Sequence, residues 1–278
     1  MIQKLLLCAG IITASFAVHA QPLKTPAPSP TQTIKQDFGL GSIELTYSRP
    51  GMKGRKIFGD LVPYGKVWRT GANSATILNF SDEVIIGGTK VPAGKYGLLS
   101  IPEKDAWTLI ISKQTDVTSP AAYKQEMDVV RVNVKPSPLP NSFESFSMQF
   151  HNVKATSIDL TIVWDKTLVT LPISTDVDTK VMAQINSLMS TDSRPYFNAA
   201  MYYMDNGKDL TQAITWLDKA IEQNPKAFWV YHQKANALAK QGKKEEAKKI
   251  ANKSIELAKE QKNDDYVALN EKLLATLK

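Results

Sequence analysis

Between Thr31 and Ser174 apolar and polar residues alternate with a period of two. Ile43, Leu45 and Tyr47 are separated by Glu44 and Thr46, and the same spacing recurs at Trp107, Leu109 and Ile111, at Phe146, Met148 and Phe150, and from Ile158 to Trp164. Successive side chains of a strand point to opposite faces, so each run buries one face and wets the other, as in an antiparallel sheet. Gly87-Gly88, between Val84-Ile85-Ile86 and Thr89-Lys90-Val91, offers the positive φ that a two-residue hairpin needs. Pro136-Ser-Pro-Leu-Pro140 reads as a connection, because proline cannot donate to a central ladder. Many short strands without a long helical period predict an all-β sandwich or small barrel. After Asp176 the period lengthens, and Val181, Ile185, Leu188 and Met189 predict a helix beginning near Asp178.

Two further stretches repeat each other. Tyr196, Ala199-Ala200, Tyr203, Gly207, Ala213, Leu217, Ala220 and Pro225 are followed by Tyr231, Ala235, Leu238, Gly242, Ala247, Ala251 and Ser254. Ala213 and Ala247 are 34 residues apart, as are Ala220 and Ser254. This resembles the tetratricopeptide helix–turn–helix repeat, in which small residues sit where helices approach closely. Asp209-Leu-Thr-Gln212 resembles a capping box opening a helix, and Asp265 to Leu277 reads as the polar-faced terminal helix that such an array needs. The resemblance implies an all-α repeat domain and a protein or peptide partner.

Composition changes the picture at the N-terminus. Lys4, the short apolar run Leu5 to Phe16 and Val18-His19-Ala20 read as a secretory signal peptide cut before Gln21. The expected organisation is therefore signal peptide 1–20, Pro-rich linker 21–30, β domain 31–174 and helical repeats 175–278. The protein is expected to be exported, periplasmic or secreted, with no transmembrane segment in the mature chain. The chain's single cysteine, Cys8, leaves with the signal, which excludes a disulfide framework and thiolate chemistry. His151 and His232 fall in different domains, so neither a metal nor a cofactor is expected.

Charge is concentrated. The net charge is +7, and the segment Tyr47 to Asn73 holds Arg49, Lys53, Arg55, Lys56, Lys66 and Arg69 against the single acid Asp60. Five glycines and two prolines break every apolar period there, so the segment reads as a long irregular loop. Such loops on regular domains carry function. Basicity this local indicates a patch rather than nucleic-acid binding. Arginine forks suit carboxylates and phosphates, and Tyr64 and Trp68 offer stacking surfaces. The candidate ligand-binding residues are Arg49, Arg55, Lys56, Tyr64, Trp68, Arg69 and Asn73, with an anionic small molecule or a glycan as ligand. The alternative for each arginine is that it pins the loop to backbone carbonyls.

The same segment carries a resemblance. Tyr47-Ser-Arg-Pro, Lys53-Gly-Arg-Lys-Ile-Phe-Gly and Val62-Pro-Tyr-Gly-Lys-Val-Trp-Arg-Thr-Gly-Ala-Asn73, followed by Gly88-Thr-Lys-Val-Pro-Ala-Gly-Lys-Tyr96 and Trp107-Thr-Leu-Ile110, resemble the bacterial "domain of unknown function 2911" family over roughly Pro30 to Ser174. That resemblance implies an exported all-β domain and no particular activity.

Catalytic motifs are absent from the sequence: it has no phosphate-binding Gly-rich loop, no His-Glu-x-x-His, no Gly-x-Ser-x-Gly and no Ser-x-x-Lys. His151 ends an alternating strand and reads as a strand-end residue, while His232 reads as a residue on a helix face. Three readings follow. The first is a non-catalytic exported binding protein with a ligand at the cationic loop and a partner on the repeats. The second is an exported hydrolase using Arg49, Arg55 and Asn73 with an acid or His151. The third is a structural assembly factor whose loop cations are satisfied by backbone carbonyls.

Overall fold

The computed structural model describes residues 25–192 and 194–278. The signal-peptide reading and the first residues of the linker lie outside the described residues. The chain divides into two compact units, one ending at Thr175 and the other spanning Asp176–Lys278.

The first unit is a sandwich of two antiparallel sheets. Among its described residues ten strands follow one another: β1 Thr31–Phe38, β2 Gly41–Ser48, β3 Thr76–Phe80, β4 Val84–Ile86, β5 Thr89–Val91, β6 Gly94–Pro102, β7 Trp107–Ser112, β8 Asp128–Val134, β9 Ser137–His151 and β10 Ser157–Ser174. One sheet has the order β1-β2-β3-β6-β7-β8 and the other β5-β4-β10-β9. The alternating residues meet between them: Ile43, Leu45, Leu78, Phe80, Leu98, Trp107 and Leu109 of the larger sheet pack with Phe146, Met148, Leu160, Ile162 and Trp164 of the smaller. Burying each such side chain contributes about 1.5–3 kcal/mol. Tyr47 ties the sheets directly, its hydroxyl accepting from Met148 N at 2.9 Å. The Gly87-Gly88 hairpin joins β4 to β5 as the sequence predicts, with Ile86 opposite Thr89.

The proline run departs from its sequence reading. Pro138 and Pro140 lie inside β9, where Pro138 pairs with Thr167 of β10. The reason is that β9 is an edge strand: a proline whose missing N–H faces outward removes no ladder bond. The connection from β8 shrinks to Lys135 and Pro136.

Two strands are buried on both faces. Leu99 of β6 and Ile110 of β7 point away from the sandwich core, yet both are fully buried, with Ala75 and Val117 and against Val67, Ile101 and Tyr123. The cover comes from two irregular segments, one before β3 and one between β7 and β8. Where the second segment crosses β6 the approach is close: a Cβ on Gly97 would lie 2.2 Å from the Gln114 carbonyl oxygen.

Among its described residues the second unit contains six helices: α1 Val177–Leu188, α2 Tyr196–Asp205, α3 Leu210–Gln223, α4 Phe228–Lys240, α5 Lys244–Glu260 and α6 Asp264–Thr276. Asp209 caps α3, its side chain accepting from Thr211 N at 2.8 Å. Ala213 of α3 and Ala247 of α5, the equivalent positions of the two repeats, are both fully buried. Replacing Ala247 with Leu is expected to overpack the unit at a cost of about 1–3 kcal/mol. The helical melting transition should fall while the β unit is unaffected, and an unchanged helical transition would contradict the repeat register.

His232 differs from its sequence reading as a helix-face residue: it is buried in a polar network. Its Nδ1 is 2.9 Å from Asn270 Oδ1 and its Nε2 is 3.0 Å from Asn236 Nδ2. Asn270 in turn donates to Ser254 Oγ and Tyr266 O, and Ser254 donates to Phe228 O. With Asn270 Oδ1 as acceptor and Asn236 Nδ2 as donor, Nδ1 donates and Nε2 accepts.

Candidate functional site

The irregular segment from Arg49 to Ala75 closes one end of the sandwich by pairing with a strand of each sheet. At its start it runs along the outer edge of β9, where Phe146 N donates to Pro50 O and Met52 N to Glu144 O. At its other end it takes the edge of β6 that β3 leaves free, since β3 begins at Thr76 opposite Leu98. There Trp68 N donates to Ser100 O at 2.7 Å and Ser100 N to Trp68 O at 2.9 Å. Ile57, Val62 and Trp68 are its buried anchors. Trp68 stacks on Trp164 at 5.9 Å and meets Phe58, Trp107 and Phe146 edge-on. The aromatics that interrupt the cationic segment are thus its attachment to the core.

The turn after Trp68 is strained. Thr70, fully buried, has φ 53°, a left-handed conformation that β-branched residues rarely adopt. It is held by hydrogen bonds from its hydroxyl to Ser100 Oγ and from Thr76 Oγ1 to its carbonyl. Asn73, at φ 63°, follows, with its amide donating to Ser48 Oγ and Ser29 O.

A cleft of about 320 Å³ opens beside this turn, lined by Arg55, Trp68, Arg69 and Asn73 together with Ser29 and Trp164. Four of the seven residues singled out from the sequence therefore meet in one place. The other three lie apart from it. Arg49 donates from Nε to Phe146 O at 3.2 Å. Lys56 is exposed. Tyr64 packs on Gly59, where φ is 83° and an added Cβ would lie 2.6 Å from the ring. Arg49, Lys56 and Tyr64 do not line the cleft, and the cleft lining contains neither His151 nor any carboxylate.

Each of the two arginines in the cleft has one arm fixed and one presented. Arg55 donates from Nε to Met52 O at 2.9 Å and from Nη2 to Gly51 O at 2.7 Å. Arg69 donates from Nη1 to Thr118 O at 3.0 Å, and its Nε is buried without a partner. Among the described residues Arg55 Nη1 and Arg69 Nη2 make no hydrogen bond, and none of the segment's six cations makes an ion pair. Two backbone carbonyls fix the guanidinium plane of Arg55 and one anchors Arg69, leaving the positive charge uncompensated for an anion to meet. Trp68, 9% exposed and already stacked on Trp164, forms a wall.

Thr118, the carbonyl partner of Arg69, belongs to the segment between β7 and β8, whose own clasp is a triad with residues of β8. Tyr123 donates to Asp128 Oδ2 and accepts from Arg131 Nη2, while Arg131 Nε donates to the same carboxylate oxygen. Burial first, and the Asp128 hydrogen bond second, push the Tyr123 hydroxyl up to about 12. Because the folded protein holds this proton more tightly than the unfolded chain, Tyr123 stabilises the fold fully below pH ~10 and loses that contribution between pH ~10 and ~12. The stability of Tyr123→Phe is expected to fall less steeply across that interval than that of the wild type, as read by denaturant midpoints. Parallel slopes would contradict the clasp.

In the helical unit a groove of about 410 Å³ is lined by residues of α2, α4 and α6, with Lys244 from the start of α5. Its polar lining is mixed: Asp205, Gln233, Asn236, Lys240 and Lys244. Asn236, held by His232, connects its floor to the buried network. Among the described residues no helix is long and apolar enough to cross a membrane, and no cluster of three or more His, Cys, Asp or Glu side chains could hold a metal ion.

Comparison with known proteins bears on both units. No curated protein and no solved structure matches the chain. Residues 193–226 and 216–249 each match the tetratricopeptide repeat, a repeat type that suggests protein–protein interaction. Residues 29–173, just over half of the chain, match the family described as "Protein of unknown function (DUF2911)". With a sandwich closed by the cationic segment and followed by two tetratricopeptide repeats, the chain belongs to the DUF2911 family.

Proposed function

We propose that this protein is an exported, non-catalytic binding protein. Its β sandwich holds a small anionic ligand in the cleft of Arg55, Arg69 and Asn73, and its helical repeats engage a protein partner through the α2–α4–α6 groove. The observation that carries the ligand reading is the pair of guanidinium groups, each fixed by backbone carbonyls on one side and free of hydrogen bonds on the other, in a cleft without an acid. A charge-assisted hydrogen bond of this kind is worth about 1.5–3 kcal/mol. Export rests on the N-terminal signal pattern and partner binding on the repeat type.

Thermal melts in acetate, sulfate, phosphate and glucuronate test the ligand reading. The β transition of the wild type is expected to rise in a carboxylate. Arg55→Ala should weaken binding at least tenfold with little loss of stability, and Arg55→Lys should recover part of it. The structural reading keeps one specific support, the carbonyl bonds of Arg49, Arg55 and Arg69. A protein destabilised by Arg55→Ala but indifferent to every anion would establish the segment as a clasp.

A further inference from the structure

Beside the cleft lies a second cavity of about 220 Å³, lined by Leu61, Val62, Pro63, Lys66, Val67, Trp68, Arg69, Ser119 and Pro120. Leu61, Val62, Trp68 and Arg69 line both spaces. Their chemistry differs. The cleft carries Ser29, Arg55 and Asn73, whereas the second space is a slot walled by Pro63, Val67 and Pro120 with Lys66 at its side. Arg69 stands between them, and neither lining includes an acid.

We propose that cleft and slot form one bipartite site for a carboxylate carrying an apolar chain or ring of about six carbons. This rests on the anion-binding reading of the cleft and adds the part of the ligand that the arginines do not touch. Size fixes the tail: a 150 Å³ apolar cavity is enough to hold benzene, so a slot of about 220 Å³ takes a six-carbon group. The slot is also preformed. Val67 packs on the buried cluster of Leu99 and Ile110, two prolines stiffen its walls, and the Arg69 bond to Thr118 O holds the far side in place. Leu61, 42% exposed at the junction of the two spaces, is a large apolar side chain that such a tail would cover. The charge is complementary as well, since Arg55, Lys66 and Arg69 all lack an ionic partner among the described residues.

Calorimetric titration of the purified protein with acetate, butanoate, hexanoate and octanoate tests the proposal. Affinity is expected to rise up to about fourfold for each methylene that enters the slot, through hexanoate, and to level off at octanoate as the chain emerges. Ser119 is an exposed slot residue, so Ser119→Trp fills the slot from a position that burial does not constrain. It should flatten the series. Equal affinity for all four acids in the wild type would overturn the slot and leave the cleft standing. A chain-length gain that persists in Ser119→Trp would place the tail elsewhere and overturn the proposal. Failure of all four to bind would remove the cleft reading together with the slot.

Discussion

Trp68→Ala is expected to lower the stability of the β unit by about 3–5 kcal/mol, the usual cost of deleting a buried large aromatic side chain. Four rings surround this indole: it stacks on Trp164 at an interplanar angle of 18° and makes edge contacts with Phe146 at 5.3 Å and with Phe58 and Trp107 at 6.2 Å. Its Nε1 also donates to Gly71 O at 3.0 Å, closing the strained turn that presents Arg69 and Asn73. Truncation therefore opens a hole beneath both the cleft and the slot and frees the turn at once. Denaturant unfolding should show the loss in the β transition, with the helical transition unmoved. Trp68→Phe, which keeps a ring in the cluster but not the indole N–H, should lose less. A cost below about 1 kcal/mol for Trp68→Ala would mean that the cationic segment is a surface appendage and not part of the core.

Gly97→Ala tests the other wall. A Cβ there would sit 2.2 Å from the Gln114 carbonyl oxygen, a backbone atom that cannot turn aside as a flexible side chain can. Either β6 or the segment between β7 and β8 must shift, and overpacking of this kind costs typically 1–3 kcal/mol. We expect about 3 kcal/mol, because β6 lies inside its sheet with β3 and β7 on either side. The segment should yield first. Its displacement would pull Thr118 O away from Arg69 and widen the slot at Ser119 and Pro120, so carboxylate binding should weaken along with stability. Gly97→Ala with native stability would contradict the close crossing, and full binding after a large loss of stability would separate the wall from the site.

The sequence made the sandwich legible because period-two alternation is a direct consequence of strand geometry, and β2, β7, β9 and β10 follow it. It left the outer cover of the larger sheet unread. The signal was present in Leu98-Leu99 and Ile110-Ile111, consecutive apolar pairs that bury both faces of β6 and β7, but alternation through Trp107, Leu109 and Ile111 masks it. Pro138 and Pro140 misled because proline's effect depends on whether a strand is at an edge, which is a property of topology. In the cationic segment the residue types were readable and their directions were not. Arg49, Arg55 and Arg69 look alike in the sequence, yet Arg49 lies outside the cleft while the other two reach it. What separates them is which carbonyls lie within reach: Phe146 O of β9 for Arg49 and Thr118 O for Arg69, both remote along the chain, but Gly51 O and Met52 O of the same loop for Arg55. His232 shows the same limit, since its partner Asn270 is 38 residues away.

The central claim, that Arg55 and Arg69 hold a carboxylate whose apolar part enters the slot, is tested most directly by anomalous diffraction from a crystal soaked in 4-bromobenzoate. The account predicts one bromine peak among Pro63, Val67 and Pro120, with the carboxylate bridging toward Arg69 Nη2 and Arg55 Nη1. A bromine peak elsewhere, or none in the slot while the two arginines keep their bonds to Met52 O, Gly51 O and Thr118 O, would contradict it.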